Sequence, residues 1–340
     1  MSCLSKRERA ALWSARTGVT RALEVWPSRP VLMVLNYHRI GDAEKTPYDP
    51  GTFSATTRQF DEQVAWLKKR FPIVSLPEAV QIATGKQPIR RTHVLITFDD
   101  GYLDNYQEAF PVLRGHGAPA TFFLPTYFIG SGHLPWWDAI AYIVKGSRKP
   151  RIEMTYPEAR TFNIEARGLA PTIADVLLVA VKPENKNNEM FLAKLEEACE
   201  CSRPAGDAER CFLSWDEARE MQRGGMSFGS HTHSHEILST LSAAGQYDEL
   251  VQSQKVLQAE LGEAIDVLAY PVGLRHTFSN ETIEAARLAG YRSAFSYYGG
   301  VNRPGQTDAF DIRRCPVYGQ SLNQLRLQAA LGLISGKGWY

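Results

Sequence analysis

From about residue 30 the chain alternates short apolar runs with amphipathic stretches, the rhythm of strand, helix and strand. "PVLMVLNYH" (30–38) is apolar until its polar end, as a buried strand should be. "TTRQFDEQVAWLKKRF" places Phe60, Val64 and Leu67 at helical spacing, with Thr56 and Gln59 forming a capping box. "PIVSL" (72–76) reads as a short strand and "PEAVQIATG" as a short helix opened by proline and closed by glycine. "HVLITFDDG" (93–101) is the strongest strand signal; a helix through Tyr106, Phe110 and Leu113 follows, then "ATFFLP" (120–125). That is a βαβ unit, and it predicts parallel neighbours with a right-handed crossover.

Residues 131–213 break the rhythm. They hold "WWDAIAYIVKG", two further helix-like stretches and a polar "KPENKNNE" run, and read as a largely helical insertion. The alternation resumes with a capping box in "SWDE" at Ser214, a strand in "MSFGSH" and a long helix over 246–261. A strand in "IDVLAYPVG" (265–273), a capped helix in "SNETIEAARLAG" and a strand in "RSAFSY" complete it. Six or seven strands with polar C-terminal ends, and no glycine-rich phosphate turn after the first, predict an α/β fold, a distorted parallel (β/α) barrel. The expected division is an N-terminal amphipathic segment (1–29), a barrel domain (30–320) carrying the insertion, and a helical tail (321–340).

Composition narrows the function. The chain is 44% apolar in 340 residues, with a formal charge of +1, so no global field draws it to nucleic acid. Five cysteines are too few and too uneven for a disulfide framework; Cys199, Cys201 and Cys211 cluster but lack a fourth zinc ligand, and read as incidental thiols. Charges interrupt every apolar run of the first 27 residues, so that segment is not a signal peptide, and no stretch reaches membrane-spanning length. The expected location is cytoplasmic. The basic amphipathic N-terminal helix either packs on the domain or makes peripheral contact with a membrane face.

Two stretches carry chemistry. In "TFDDGY", Asp99 and Asp100 sit where a buried strand meets a glycine turn, the mouth of a parallel α/β site. Gly101 lets the backbone turn there, so the adjacent carboxylates can take different tasks. In "FGSHTHSHEIL", His231, His233 and His235 alternate with hydroxyl residues. The strand signal ends at Gly229 and Leu238 and Leu241 follow at helical spacing, which predicts a strand-to-helix corner with His231 and His235 converging and His233 turned away. Two imidazoles and a carboxylate suit a hydrolytic zinc ion, and equally a non-haem iron centre.

Together "TFDDGY" and "SHTHSHEILSTL" resemble the first two motifs of the polysaccharide deacetylases, the NodB-homology family of carbohydrate esterases; "AYPVG" (269–273) is similar to the third. The resemblance covers about residues 30–320. It implies Asp99 as general base, Asp100, His231 and His235 as ligands of Zn2+ or a similar divalent ion, and Tyr270 in the substrate groove near a backbone N–H that stabilises the oxyanion. It also implies hydrolysis of N-acetyl groups on an N-acylated glycan. No histidine follows His276 to supply the family's late general acid, which leaves His38 in "NYHRI" as candidate acid or as a structural histidine. Arg313 or Arg314, near a late strand, is the candidate to orient Asp99 in place of the arginine missing ahead of Tyr270, with Arg314 also a candidate substrate contact. Trp136 and Trp137 either stack on a sugar or anchor the insertion. His133 is a further histidine within possible reach. Two alternatives stay open: a deformylase or other deacylase of a lipid-linked amino sugar, and a carbohydrate-binding pseudoenzyme.

Overall fold

Eight strand segments form a single parallel sheet: β1 (Leu32–Tyr37), β2 (His93–Asp99), β3 (Thr121–Leu124), β4 (Ser227–Ser230), β5 (Val267–Ala269), β6 (Ser293–Ser296), β7 (Ile312–Arg313) and β8 (Cys315–Pro316). The computed structural model describes residues 6–26, 28–182, 184–185, 187–204, 210–319 and 321–335. The start of the N-terminal segment, parts of the "KPENKNNE" run and the end of the C-terminal tail lie outside the described residues.

The spatial order is β7-β6-β5-β4-β3-β2-β1-β8, so consecutive strands are neighbours and the βα units wind one way around. The last two segments are one pass of chain. Ile312 and Arg313 pair with β6, Cys315 and Pro316 pair with β1, and Arg314 stands between them. A single stretch thus touches both edges of the sheet, and the result is a nearly closed, distorted (β/α) barrel.

Strand alternation sorts the side chains. Leu32, Val34, Leu95, Phe123, Val267, Ala269, Phe295 and Ile312 belong to one buried cluster, with the helix Leu76–Ala83 packed into it. The alternate residues Met33, Leu35, Val94, Ile96, Phe98 and Phe122 face helices such as Thr57–Arg70. The two capping boxes expected at Thr56 and Ser214 are present.

Several elements differ from expectation. "PIVSL" makes only one bridge, Ile73 to Val94, because the chain turns at once into the helix it caps. Between β3 and β4, the helices Trp136–Gly146, Leu169–Ala180 and Asn188–Cys199 share their own apolar cluster with a β-hairpin, Arg151–Met154 and Arg160–Asn163. That hairpin is only four residues a side, too short for its alternation to stand out in a helical neighbourhood. The residues after β4 form no helix turn at His231–His235; Thr232 (φ 64°) and His235 (φ 60°) are left-handed instead.

One close approach fixes the barrel's interior. A Cβ on Gly229 would lie 2.4 Å from the Phe123 ring, so glycine is required for the two strands to pair at that level. We expect Gly229→Ala to destabilise the protein by about 1–3 kcal/mol, read as a lower urea midpoint with an unchanged m-value.

Candidate active site

At the upper end of the barrel the interior changes from apolar to polar. In β1 the inward series Leu32, Val34 ends in Asn36; in β2 the series Leu95 ends in Thr97 and Asp99. Asp99 is held from two sides. Arg314 donates NH1 to its Oδ1 at 2.6 Å and Asn36 donates Nδ2 to its Oδ2 at 3.0 Å. The amide oxygen of Asn36 accepts from Thr97 Oγ1 (2.6 Å) and from Arg314 NH1 (2.8 Å), which fixes the orientation of the amide. Burial alone would raise the Asp99 carboxyl, but the Arg314 guanidinium, with His231 and His38, overrides it and holds Asp99 well below the usual carboxylate range.

Alternation would send Asp100 outward. It reaches the same cavity because its own backbone is left-handed (φ 73°), followed by Gly101 at φ 69°. The turn therefore begins one residue earlier than the glycine. Gly101 has no substitute: a Cβ there would stand 2.7 Å from Leu124.

The histidines come from the end of β4. His231 continues the inward series after Gly229, and its N–H still pairs with Leu124 O. Its Nδ1 lies 2.7 Å from Ala269 O; a carbonyl only accepts, so Nδ1 carries the proton and Nε2 keeps its lone pair. Burial pushes the His231 imidazole down to about 4, which keeps it neutral at neutral pH. The loop beyond it is clamped by Glu249 of the long helix Ala243–Leu261, which accepts from the N–H groups of His233 (3.0 Å) and Ser234 (2.8 Å) and from Ser234 Oγ (2.7 Å). His235 N–H donates to Thr232 Oγ1 at 3.1 Å.

Nε2 of His231 and of His235 stand 3.6 and 3.4 Å from Asp100 Oδ1, and the three ligand atoms lie within 4.8 Å of one another. Burial raises the Asp100 carboxyl; the imidazole of His235, with His38 and His231, more than offsets this and keeps it ionised. Among the described residues its Oδ1 has no hydrogen-bond partner. A buried anionic oxygen so placed is costly, and a cation among these three donors removes that cost. The residues therefore fit a divalent metal.

Asp99, Asp100, His231, His235, His38, Trp136 and Trp137 all line one cavity of about 250 Å³. His38 Nε2 is 4.0 Å from Asp99 Oδ2, beyond hydrogen-bonding distance. Trp137 packs on His235 with ring centroids 4.3 Å apart and donates Nε1–H to Tyr102 OH at 2.6 Å.

Two expected residues stand elsewhere. Tyr270 does not enter the groove: it shares strand parity with Leu268 and faces outward, stacked on Phe278 at 4.2 Å, with its OH donating to Phe310 O. Its N–H is also spent, on Phe295 O, and Val272 (φ 60°) and Leu274 line the cavity in its place. Arg314 is fully buried below the cavity and meets Asp99, whereas Arg313 lies over the Tyr298 ring. Arg314 thus makes the contact with Asp99 expected of one of the two arginines, and it is not among the residues that line the cavity. His133 stacks on Tyr127, and His233 pairs with Thr126 Oγ1, so neither joins the cavity. Cys199 and Cys201 form no disulfide, and among the described residues neither they nor Cys211 belong to the ligand group. Asn36 and Glu249 escaped the sequence reading. Asn36 carried a signal, a polar residue closing an otherwise apolar strand; Glu249 carried none.

The polysaccharide deacetylase family model matches residues 86–294. The Bacillus subtilis protein YxkH is 24% identical over 77% of this chain and 62% of its own length. The poly-beta-1,6-N-acetyl-D-glucosamine N-deacetylase of Staphylococcus epidermidis is 36% identical over 29% of this chain and 37% of its own. The chain thus spans only part of these relatives. Among solved structures, the Streptococcus pyogenes deacetylase PplD in complex with acetate superposes with a TM-score of 0.58 at 18% identity, covering 88% of this chain and 97% of that one. IcaB from Ammonifex degensii superposes with a TM-score of 0.57 at 21% identity, covering 89% and 98%. These likenesses support the barrel, and the family match runs over more than half the sequence, from ahead of the aspartate pair to beyond the histidines: the chain belongs to the polysaccharide deacetylase family.

Proposed function

We propose that this protein is a metal-dependent hydrolase that removes N-acetyl groups from the amino sugars of a glycan. The observation that carries the proposal is the Asp100 Oδ1, without a hydrogen-bond partner among the described residues and facing two imidazole Nε2 atoms, with an ionised second carboxylate beside it. The N-deacetylases of poly-beta-1,6-N-acetyl-D-glucosamine among the relatives support an amino-sugar substrate.

Asp100, His231 and His235 are the metal ligands, and the donor set favours Zn2+. A cation there supplies Lewis-acid polarisation of the amide carbonyl and lowers the pKa of a water molecule. Asp99 is the general base: Arg314 keeps it anionic, and its Oδ2 lies 3.8 Å from His231 Nε2, beside the ligand group. His38, on the wall next to Asp99, is the candidate donor of a proton to the departing amine. Trp136 offers an aromatic face at the cavity wall for the apolar side of a pyranose, while Trp137 buttresses His235. Glu249 positions the histidine loop without touching substrate.

The test pairs metal analysis with amine release from N-acetylglucosamine oligomers and lipid-linked N-acyl sugars. Asp99→Asn is expected to keep the metal and lose turnover by at least ~100-fold; His235→Ala is expected to lose both. Binding of glycans by the wild type with no acyl release from any of them would overturn the hydrolase reading. Glu249→Ala should weaken metal affinity about 10–100-fold while leaving far-UV circular dichroism unchanged. Equal affinity in that variant would show that the loop holds its shape without the clamp.

A further inference from the structure

The N-terminal layer has an outer face that neither the barrel nor the catalytic reading uses. Residues 1–29 contain six basic residues and two acidic ones, a net +4 in a chain of net +1. The helix Lys6–Arg16 buries Ala11 and Ser14 and packs on the helix Leu322–Ser335. Its exposed residues include Lys6, Arg9, Trp13 and Arg16, which at 3.6 residues per turn fall in an arc of roughly 80°. An indole thus lies along a stripe of cationic groups. Trp13 is 63% exposed.

The layer is firmly seated, so this exposure is not the result of loose packing. Ser14 and Thr20 share a buried hydroxyl hydrogen bond of 2.8 Å. Arg326 of the C-terminal helix grips Glu24 with two bonds of 2.7 and 2.9 Å, and Arg70 bonds the Glu24 carbonyl. One of the segment's two carboxylates is therefore turned inward and neutralised. Outside, Arg21 and Arg29 flank a second exposed indole, Trp26, at 62%. The C-terminal helix, on which this layer packs, also exposes Leu331 and Ile334, three residues apart.

We propose that this face binds the surface of an anionic lipid bilayer. Indole rings with an apolar body and a polar N–H suit the headgroup boundary, and neighbouring guanidinium groups are drawn to anionic lipid. A second copy of the chain would bring two +4 segments together, which like-charge repulsion opposes. Nucleic acid would use the cations and stack bases on the indoles, but it would leave the exposed Leu331 and Ile334 of the C-terminal helix without a role. Binding here needs no turnover, so it stands or falls separately from the hydrolase reading.

The experiment is vesicle co-sedimentation of the full chain with phosphatidylcholine alone and with phosphatidylcholine containing phosphatidylglycerol. Retention is expected on anionic vesicles only, with a blue shift of tryptophan emission and release as salt is raised. Trp13→Ala with Trp26→Ala should abolish the emission shift and weaken retention. Arg9→Gln with Arg16→Gln should weaken partition roughly tenfold or more, with an unchanged Tm in both variants because all four side chains are exposed. Equal retention on neutral vesicles, no retention at low salt, or variants that bind like wild type would overturn the proposal. A dimer in light scattering that Trp13→Ala abolishes, without vesicle binding, would assign the face to a second copy instead.

Discussion

The buried contact between Arg314 and Asp99 joins the barrel's closure to its chemistry. Arg314 stands in the one-residue gap between β7 and β8, where the chain leaves one edge of the sheet for the other. From there its guanidinium reaches Asp99 on β2 and Asn36 on β1, and its Nε reaches Ser296 O on β6. Removing one partner of such a buried pair typically costs about 3–5 kcal/mol. Bonded to three strands, it ties the seam together and leaves a carboxylate that stays ionised despite full burial.

Strand parity explains most of what surrounds that contact. Asn36 and Thr97 are inward because Val34 and Leu95, two positions before them, are inward; Asp99 follows Thr97 in the same way, and His231 follows Gly229. Asp100 and His235 reach the cavity by breaking parity with left-handed backbones. Thr232 and Val272 are left-handed there too, so four of the five non-glycine residues with positive φ among the described ones gather at the cavity or in its histidine loop. Such conformations persist where the surroundings over-determine them, and here Glu249, Thr232 Oγ1 and Gly101 do so.

This is also why the sequence was legible only in part. The barrel could be read because its longer strands are apolar runs and several of its helices carry capping boxes, at Thr56, Ser214 and Ser279. The pairing of "TFDDGY" with "SHTHSHEIL" could be read because both lie where strands end. Tyr270 was misplaced because a motif names a neighbourhood, whereas parity with Leu268 decides which way a side chain points. The sequence offers two adjacent arginines, Arg313 and Arg314, to orient Asp99; the choice between them depends on a two-residue register that no local pattern encodes. Glu249 acts from the middle of a helix whose sequence is consistent with an ordinary solvated face.

The donors of the candidate metal site are far apart in the chain and meet only at the finished top of the barrel. His231 needs β4 beside β5 for its Ala269 bond, and His235 needs the long helix docked for Glu249 to hold its loop. In an unfolded chain these groups share no local motif beyond the histidine loop itself, so little of the site exists to bind a cation before folding. A cation would therefore act as a late arrival, stabilising a completed scaffold by mass action rather than organising its nucleus.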